Sequence, residues 1–275
     1  MIDPLIVDLY AGDFGGQPDL AKLVAAGYPW CGVILKATEG TYYPSAHQED
    51  WFLSHWLPAR ELALERYGAA IGSYYVKPAM TDADQSMGQR IVPWYRGAYH
   101  YLRVDEDPII QADHFLTLVE RAGGWGPGDL WPMLDVEAAD NPPAASSSAQ
   151  IQDAVSRWAS KVTAALGRSV MLYGNVYLAE AGITSHMNCG LLTVARYSPT
   201  LPPDTYQRIG WQLESAIPTL WGWQYSGDPD GGSLHGYPTK CPLSATENAD
   251  IIAAIVAGGG DPWSVLDWTT ANLSR

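Results

Sequence analysis

The chain has few cysteines, few phenylalanines and few cations, and no apolar run long enough to span a membrane. Cys31, Cys189 and Cys241 are odd in number and far apart, with no C-x-x-C motif to suggest a metal or redox site. Cys31 lies in an apolar run and reads as a buried thiol. The six histidines are scattered without an H-x-x-x-H pair, so a zinc site is not expected. Asp228-Pro229-Asp230-Gly231-Gly232 lacks the remaining ligands of a calcium loop and reads as a plain turn. Sixteen Lys and Arg against 30 Asp and Glu leave a net charge of -14, the wrong sign for nucleic acid or an anionic membrane surface. The N-terminus, Met1-Ile2-Asp3-Pro4, lacks the charged and apolar regions of a signal peptide. The expectation is synthesis in the cytoplasm, with any export by another route.

What is present is a large apolar fraction and a skewed aromatic set. At 275 residues and 47% hydrophobic, the chain can bury a large core. As an α/β barrel it would fit one domain of about 250 residues. Twelve Trp and sixteen Tyr stand against three Phe. Rings with a polar handle suit a wet cleft that stacks on sugar faces and bonds hydroxyls, although core filling accounts for most of them.

Along the chain, short apolar runs alternate with helical patterns. Strands are predicted at Leu5–Leu9, Cys31–Ala37, Ala98–Leu102, the run into Asp135, Val170–Tyr173, Leu191–Ala195 and Leu220–Tyr225. Helices are predicted at Asp19–Ala26, between Pro18 and Gly27, and at Ile109–Val119. A third carries Ile151, Val155, Trp158, Val162 and Leu166 on one face and stops at Gly167. Alternation of this kind implies a parallel sheet, and the length favours a closed barrel. The later strands lack helices between them, so the barrel is expected to be irregular. Residues 67–96 show no clear period and read as an insertion beside the cleft. Residues 257–275, opening on Gly258-Gly259-Gly260, read as a linker and short tail.

The most informative segment is Asp135-Val136-Glu137, which closes the run Leu130-Trp131-Pro132-Met133-Leu134. Residues two apart on a strand share a face, with Cα atoms ~6.5–7 Å apart. Two carboxylates so placed at the end of a buried strand form an acid pair aimed into one pocket. Each charge disfavours ionisation of the other, so one can hold a proton near neutral pH. A neutral acid beside an ionised one is what glycoside hydrolysis requires. The competing reading is a strand end that turns into solvent, where acidic residues are common.

Several ordered pieces resemble glycoside hydrolase family 25, the N-acetylmuramidase lysozymes of phages, bacteria and fungi. They begin with Ile6-Val7-Asp8 and Val33-Ile34-Leu35-Lys36-Ala37-Thr38-Glu39-Gly40. Gly97-Ala98-Tyr99-His100-Tyr101, Gln111-Ala112-Asp113-His114-Phe115 and Pro132-Met133-Leu134-Asp135-Val136-Glu137 follow. Later come Met171-Leu172-Tyr173, Ala195-Arg196-Tyr197, Trp223-Gln224-Tyr225-Ser226 and Ala249-Asp250. Singly each piece is weak, but the set runs in family order over roughly residues 5 to 254.

The resemblance implies an irregular TIM-like barrel of eight strands and about five helices, occupying residues 1–256. It implies that Glu137 is the general acid/base, Asp135 its strand partner, Asp8 the first-strand carboxylate and Asp250 the last-strand one. Asp250 lacks the family's glycine-rich approach, and the segments between Tyr43 and Gly97 and from Pro199 to Leu220 are longer than usual. Glu39, Tyr99, Tyr173, Arg196, Trp223, Gln224 and Tyr225 are the substrate-binding candidates. For Glu39 the alternative is a polar residue closing a strand, and for Tyr99, Tyr173 and Trp223 it is packing. Asp8 could instead bond strand-end amides. His100 reads as a hydrogen-bonded scaffold residue, because the acid/base role is already filled.

A nucleophilic carboxylate must lie ~5–5.5 Å from the acid, across the scissile bond. Asp135 and Glu137 leave one strand on one side, so Asp135 is better placed to orient the substrate's own 2-acetamido group. A direct role for Asp8 or Asp250 stays open. The leading expectation is a retaining peptidoglycan β-1,4-N-acetylmuramidase, needing no metal or cofactor and acting as a monomer on wall glycan. Its lack of a signal suggests a phage lysin released by lysis or a holin-type membrane lesion. A glycosidase on another N-acetylated polymer such as chitin, and a silent glycan-binding barrel, are the alternatives.

Overall fold

A computed structural model describes residues 5–11, 20–21, 30–41, 46–67, 95–126, 129–137, 146–174, 187–195, 220–224 and 268–270. The continuous apolar runs form strands, as segments covered on both faces should. They are β1 (Leu5–Leu9), β2 (Trp30–Glu39), β3 (Tyr95–Tyr101), β4 (Met133–Val136), β5 (Val170–Gly174), β6 (Cys189–Ala195) and β7 (Leu220–Gln224). Each pairs in parallel with the next in chain order, giving an α/β fold built on a parallel sheet. An eighth short strand, β8 (Trp268–Thr270), pairs antiparallel with both β7 and β1.

Three helices are described: α1 (Ala46–Tyr67), α2 (Pro108–Arg121) and α3 (Ser148–Leu166). Of the helix predicted at Asp19–Ala26, only Leu20 and Ala21 lie within the described residues, and both are helical. The start of α2 is fixed by Asp107, whose side chain accepts from the Ile109 N–H, and by Pro108 in the first turn. The start of α3 is a reciprocal capping box between Ser147 and Gln150, and Gly167 ends it in the left-handed region at φ 65°. Each cap contributes about 1 kcal/mol.

Strand alternation divides the buried residues between two faces. Val33, Leu35, Ala98, Leu134, Val136 and Leu172 pack with Phe52, Trp56, Phe115 and Trp158 of the helices in one core. The intervening Met133, Asp135, Met171 and Tyr173 are also buried, on the opposite face. That opposite face carries the chemistry.

Four features depart from the sequence reading or add to it. The segment 46–67 gave no helical signal because Pro58 reads as a breaker and its apolar residues form no single stripe. Packing overrides that local preference: Trp51, Phe52, Trp56 and Ala59 are buried, with Trp56 against Phe52 and Trp125 at 5.3 Å between ring centroids. The insertion expected at about 67–96 lies almost wholly outside the described residues. Tyr67 closes α1, and Tyr95 and Arg96 belong to β3, while 68–94 lie outside the described residues. Arg96, a cation inside β3, is buried. Its guanidinium forks onto Asp129 at 3.0 and 2.6 Å, donates to the Trp56 carbonyl at 2.8 Å and lies 3.6 Å from the Trp56 ring centroid. Finally, the presumed tail 257–275 contributes β8, whose Trp-Thr-Thr sequence suits a strand.

Candidate active site

Parallel strands bring their C-terminal ends to one rim, and one row of register partners crosses that rim. Glu39 at the end of β2 is paired with Tyr101 of β3, Tyr101 with Asp135 of β4, and Asp135 with Tyr173 of β5. Residues in register on neighbouring strands point to the same face. Asp8 is the penultimate residue of β1, and Glu137 follows Val136 at the end of β4. Of the residues expected at the site, Asp8, Glu39, Tyr99, Asp135, Glu137 and Tyr173 therefore gather at one end of the sheet. Trp223 and Gln224 end the backbone of β7, also at that rim. Arg196, Tyr225 and Asp250 lie outside the described residues.

Asp135 is 7% exposed, and its Oδ1 has no hydrogen-bond partner among the described residues. Burial holds its carboxyl well above the usual carboxylate range; Glu137, Asp8 and Glu39 push it further up, and Lys36 opposes them. Burial first, and then three neighbouring carboxylates, thus favour the protonated form of Asp135 at the rim. Glu137 is half-buried, as suits a group that must meet both substrate and water.

Three residues of the site were not singled out from the sequence. Lys36 is 8% exposed, and its ammonium donates to Glu39 Oε2 at 2.7 Å and lies 4.9 Å from the Tyr101 ring centroid. Arg103 donates to the other Glu39 oxygen. Tyr101 sits two residues beyond Tyr99, on the same face and level with Asp135. The available signals were a lysine inside an apolar strand and a second tyrosine at the strand's end.

His100 points the other way, into the helix layer. It is buried between Trp158, stacked at 5.5 Å, and the edge of Phe115. Nδ1 contacts the Thr38 hydroxyl at 2.8 Å and Nε2 contacts Gln111 Oε1 at 2.9 Å. An amide oxygen only accepts, so Nε2 carries the proton and Nδ1 accepts from Thr38. Gln111 in turn binds the Arg103 backbone on both sides, accepting from its N–H at 3.0 Å and donating to its carbonyl at 2.7 Å. This chain of bonds ties α2 to the turn that carries Arg103 towards Glu39. Desolvation lowers the His100 pKa from 6.5 to about 3, so the ring is neutral and structural.

A pH effect on stability follows from that neutral ring. Because the unfolded chain takes up the proton first, the contribution of His100 is complete above pH 6.5. It is lost as pH falls from 6.5 towards about 3, with a slope approaching ~1.4 kcal/mol per pH unit. Denaturant titrations between pH 4 and 7.5 should show this loss in the wild type and a flatter profile in His100→Asn. Equal slopes in the two proteins would refute the neutral, buried assignment.

A parallel α/β sheet with crowded carboxylates at its C-terminal rim is the layout of a glycoside hydrolase. The sequence profile of the glycosyl hydrolases family 25 matches residues 66–233, more than half of the chain, and the chain belongs to that family. No curated protein matches the sequence. Solved structures with the same fold include a family 25 glycosyl hydrolase from Bacillus anthracis, 20% identical, covering 81% of this chain and 79% of that one at a TM-score of 0.54. The bacterial lysozyme from Streptomyces coelicolor is 21% identical over 83% of this chain and 86% of its own, with a TM-score of 0.53. The catalytic domain of endolysin ply40 from bacteriophage P40 of Listeria monocytogenes is 15% identical over 99% and 94%, also at 0.53. At these identities the three likenesses speak for the fold.

Proposed function

We propose that this glycoside hydrolase is a peptidoglycan muramidase, cleaving the β-1,4 bond between N-acetylmuramic acid and N-acetylglucosamine with retention. The observation that carries the reading is Asp135: a buried carboxyl, crowded by Glu137, Asp8 and Glu39, at the C-terminal rim of the sheet. Family membership, and a lysozyme and an endolysin catalytic domain among the structural neighbours, support a wall-glycan substrate. The return of strand pairing from β8 to β1 supports an irregular eight-stranded barrel as the frame.

In this mechanism Glu137 protonates the leaving glycosidic oxygen and then takes a proton from the incoming water. Asp135, on the same side, orients the substrate's 2-acetamido group, whose oxygen attacks the anomeric carbon as the exocyclic C–O bond breaks. Asp8 and Asp250 are further candidates for stabilising the developing positive charge. Tyr99, Tyr173, Arg196, Trp223, Gln224 and Tyr225 are proposed to bind sugar. No metal is called for by the donor set. We further assign the protein to lysis, reaching the wall as a monomer through a membrane lesion.

Attack by the acetamido group inverts the anomeric centre once, and water from the opposite face inverts it again. The first product should therefore be the β-anomer, visible as its anomeric proton by NMR in the first minutes of digestion. An initial α-anomer would instead indicate single displacement, with Asp8 as the candidate to hold the attacking water on the far face.

A further inference from the structure

Lys36 interrupts an apolar strand, and burying an ammonium is costly unless a counter-charge meets it. Its partner is Glu39 Oε2 at 2.7 Å, and the Tyr101 and Tyr10 rings lie at 4.9 and 5.9 Å from the ammonium. The other Glu39 oxygen is held by Arg103. Glu39 thus spans two cations, one buried and one whose side chain is 30% exposed. With both oxygens engaged, Glu39 is suited to holding cations in place.

We propose that Lys36 is a positioning residue for the acid pair: Glu39 and the Tyr101 ring hold its ammonium where it offsets the negative charge gathered around Asp135. This rests on the reading that Asp135 and Glu137 carry out the hydrolysis. The charged groups facing Asp135 are Asp8 from β1, Lys36 and Glu39 from β2, and Glu137 at the end of β4. Arg103, beyond β3, faces Glu39, and the tyrosines in register with Asp135 are Tyr101 and Tyr173 from the strands on either side. Among the described residues, Lys36 is the one cation whose field opposes the three carboxylates acting on Asp135. Without it Asp135 would keep its proton to higher pH, leaving it less often ionised to assist attack.

The structure ties the two partners together, so their removal should act in opposite directions. Deleting the ammonium removes a charge that favours ionised Asp135. Deleting the Glu39 charge removes a repulsion and leaves the ammonium to the remaining carboxylates. A merely structural role for either residue predicts no such opposition of sign.

The test is a 13C NMR titration of side-chain carboxyls, with the Asp135 signal assigned by its loss in Asp135→Asn. In Lys36→Gln the Asp135 midpoint should rise by about half a pH unit or more, as expected for losing a nearby opposite charge. Lys36→Arg should return it close to wild type, and Glu39→Gln should lower it. The acidic limb of kcat/KM on wall glycan should move in the same directions. An unchanged Asp135 midpoint in Lys36→Gln overturns the proposal. If that variant does not fold, a midpoint in Glu39→Gln that fails to fall overturns it equally. The titration does not depend on activity, so a wild type that leaves wall uncut would refute the functional reading while the titration still decides Lys36.

Discussion

Glu137→Gln is expected to fold as the wild type does and to lose about 10²–10⁴-fold in glycan cleavage, the usual worth of general acid catalysis. The amide keeps the size and shape of the side chain, and Glu137 stands just beyond the last residue of β4, half-buried. What it cannot do is donate a proton with carboxylic acidity or recover one from water. The melting temperature should stay near that of the wild type, separating lost chemistry from lost fold. Turbidity clearance of cell walls within a factor of ten of wild type would remove Glu137 from the acid/base role.

Asp135→Asn is expected to move activity and stability in opposite directions. The carboxyl is buried, with Oδ1 unpartnered among the described residues, and desolvation and three neighbouring carboxylates disfavour its charge. Since the folded-state pKa lies above the unfolded one, the folded protein binds more protons between them. Stability then falls as pH rises through that window, from the ordinary carboxylate range at about 4 up to the raised value. The neutral amide removes this loss. Above the window Asp135→Asn should be more stable by about 1–3 kcal/mol, or several degrees in melting temperature at ~2–4 °C per kcal/mol. The gain should vanish by pH 4.

Cleavage should nevertheless collapse on N-acetylated wall, because the amide cannot orient and charge-stabilise the acetamido group. Glycan with de-N-acetylated muramic acid should be a poor substrate for the wild type. A gain in stability that is flat from pH 4 to 8 would contradict the raised pKa. Equal cleavage of acetylated and deacetylated glycan would point to an enzyme nucleophile, with Asp8 and Asp250 as candidates.

Elements with a clear period were legible in the sequence. The face marked by Ile151, Val155, Trp158 and Val162 is buried, and Gly167 ends that helix as a left-handed cap. The strand carrying Asp135 was legible because the apolar run Leu130–Leu134 leads into it. Elements whose signal is tertiary were not. The helix 46–67 contains Pro58 and is held by a tilted aromatic contact with Trp125 and by Arg96, more than twenty-five residues away in sequence. The strand Trp268–Thr270 is too short to show alternation, and its partners lie at β1 and β7. At the rim, the spacing of Asp135 and Glu137 pointed to two carboxylates at one strand end. The cations could not be read in the same way, because Lys36 and Arg103 meet Glu39 only after β2 and β3 are brought side by side.

The central claim is that this acid pair cuts the bond on the reducing side of N-acetylmuramic acid. Purified peptidoglycan digested by the wild type, reduced with borohydride and hydrolysed to its amino sugar alcohols tests it most directly. The account predicts muramitol as the new reducing end, absent from a parallel digest with Glu137→Gln. Glucosaminitol as the new end, or no new ends at all, would contradict it.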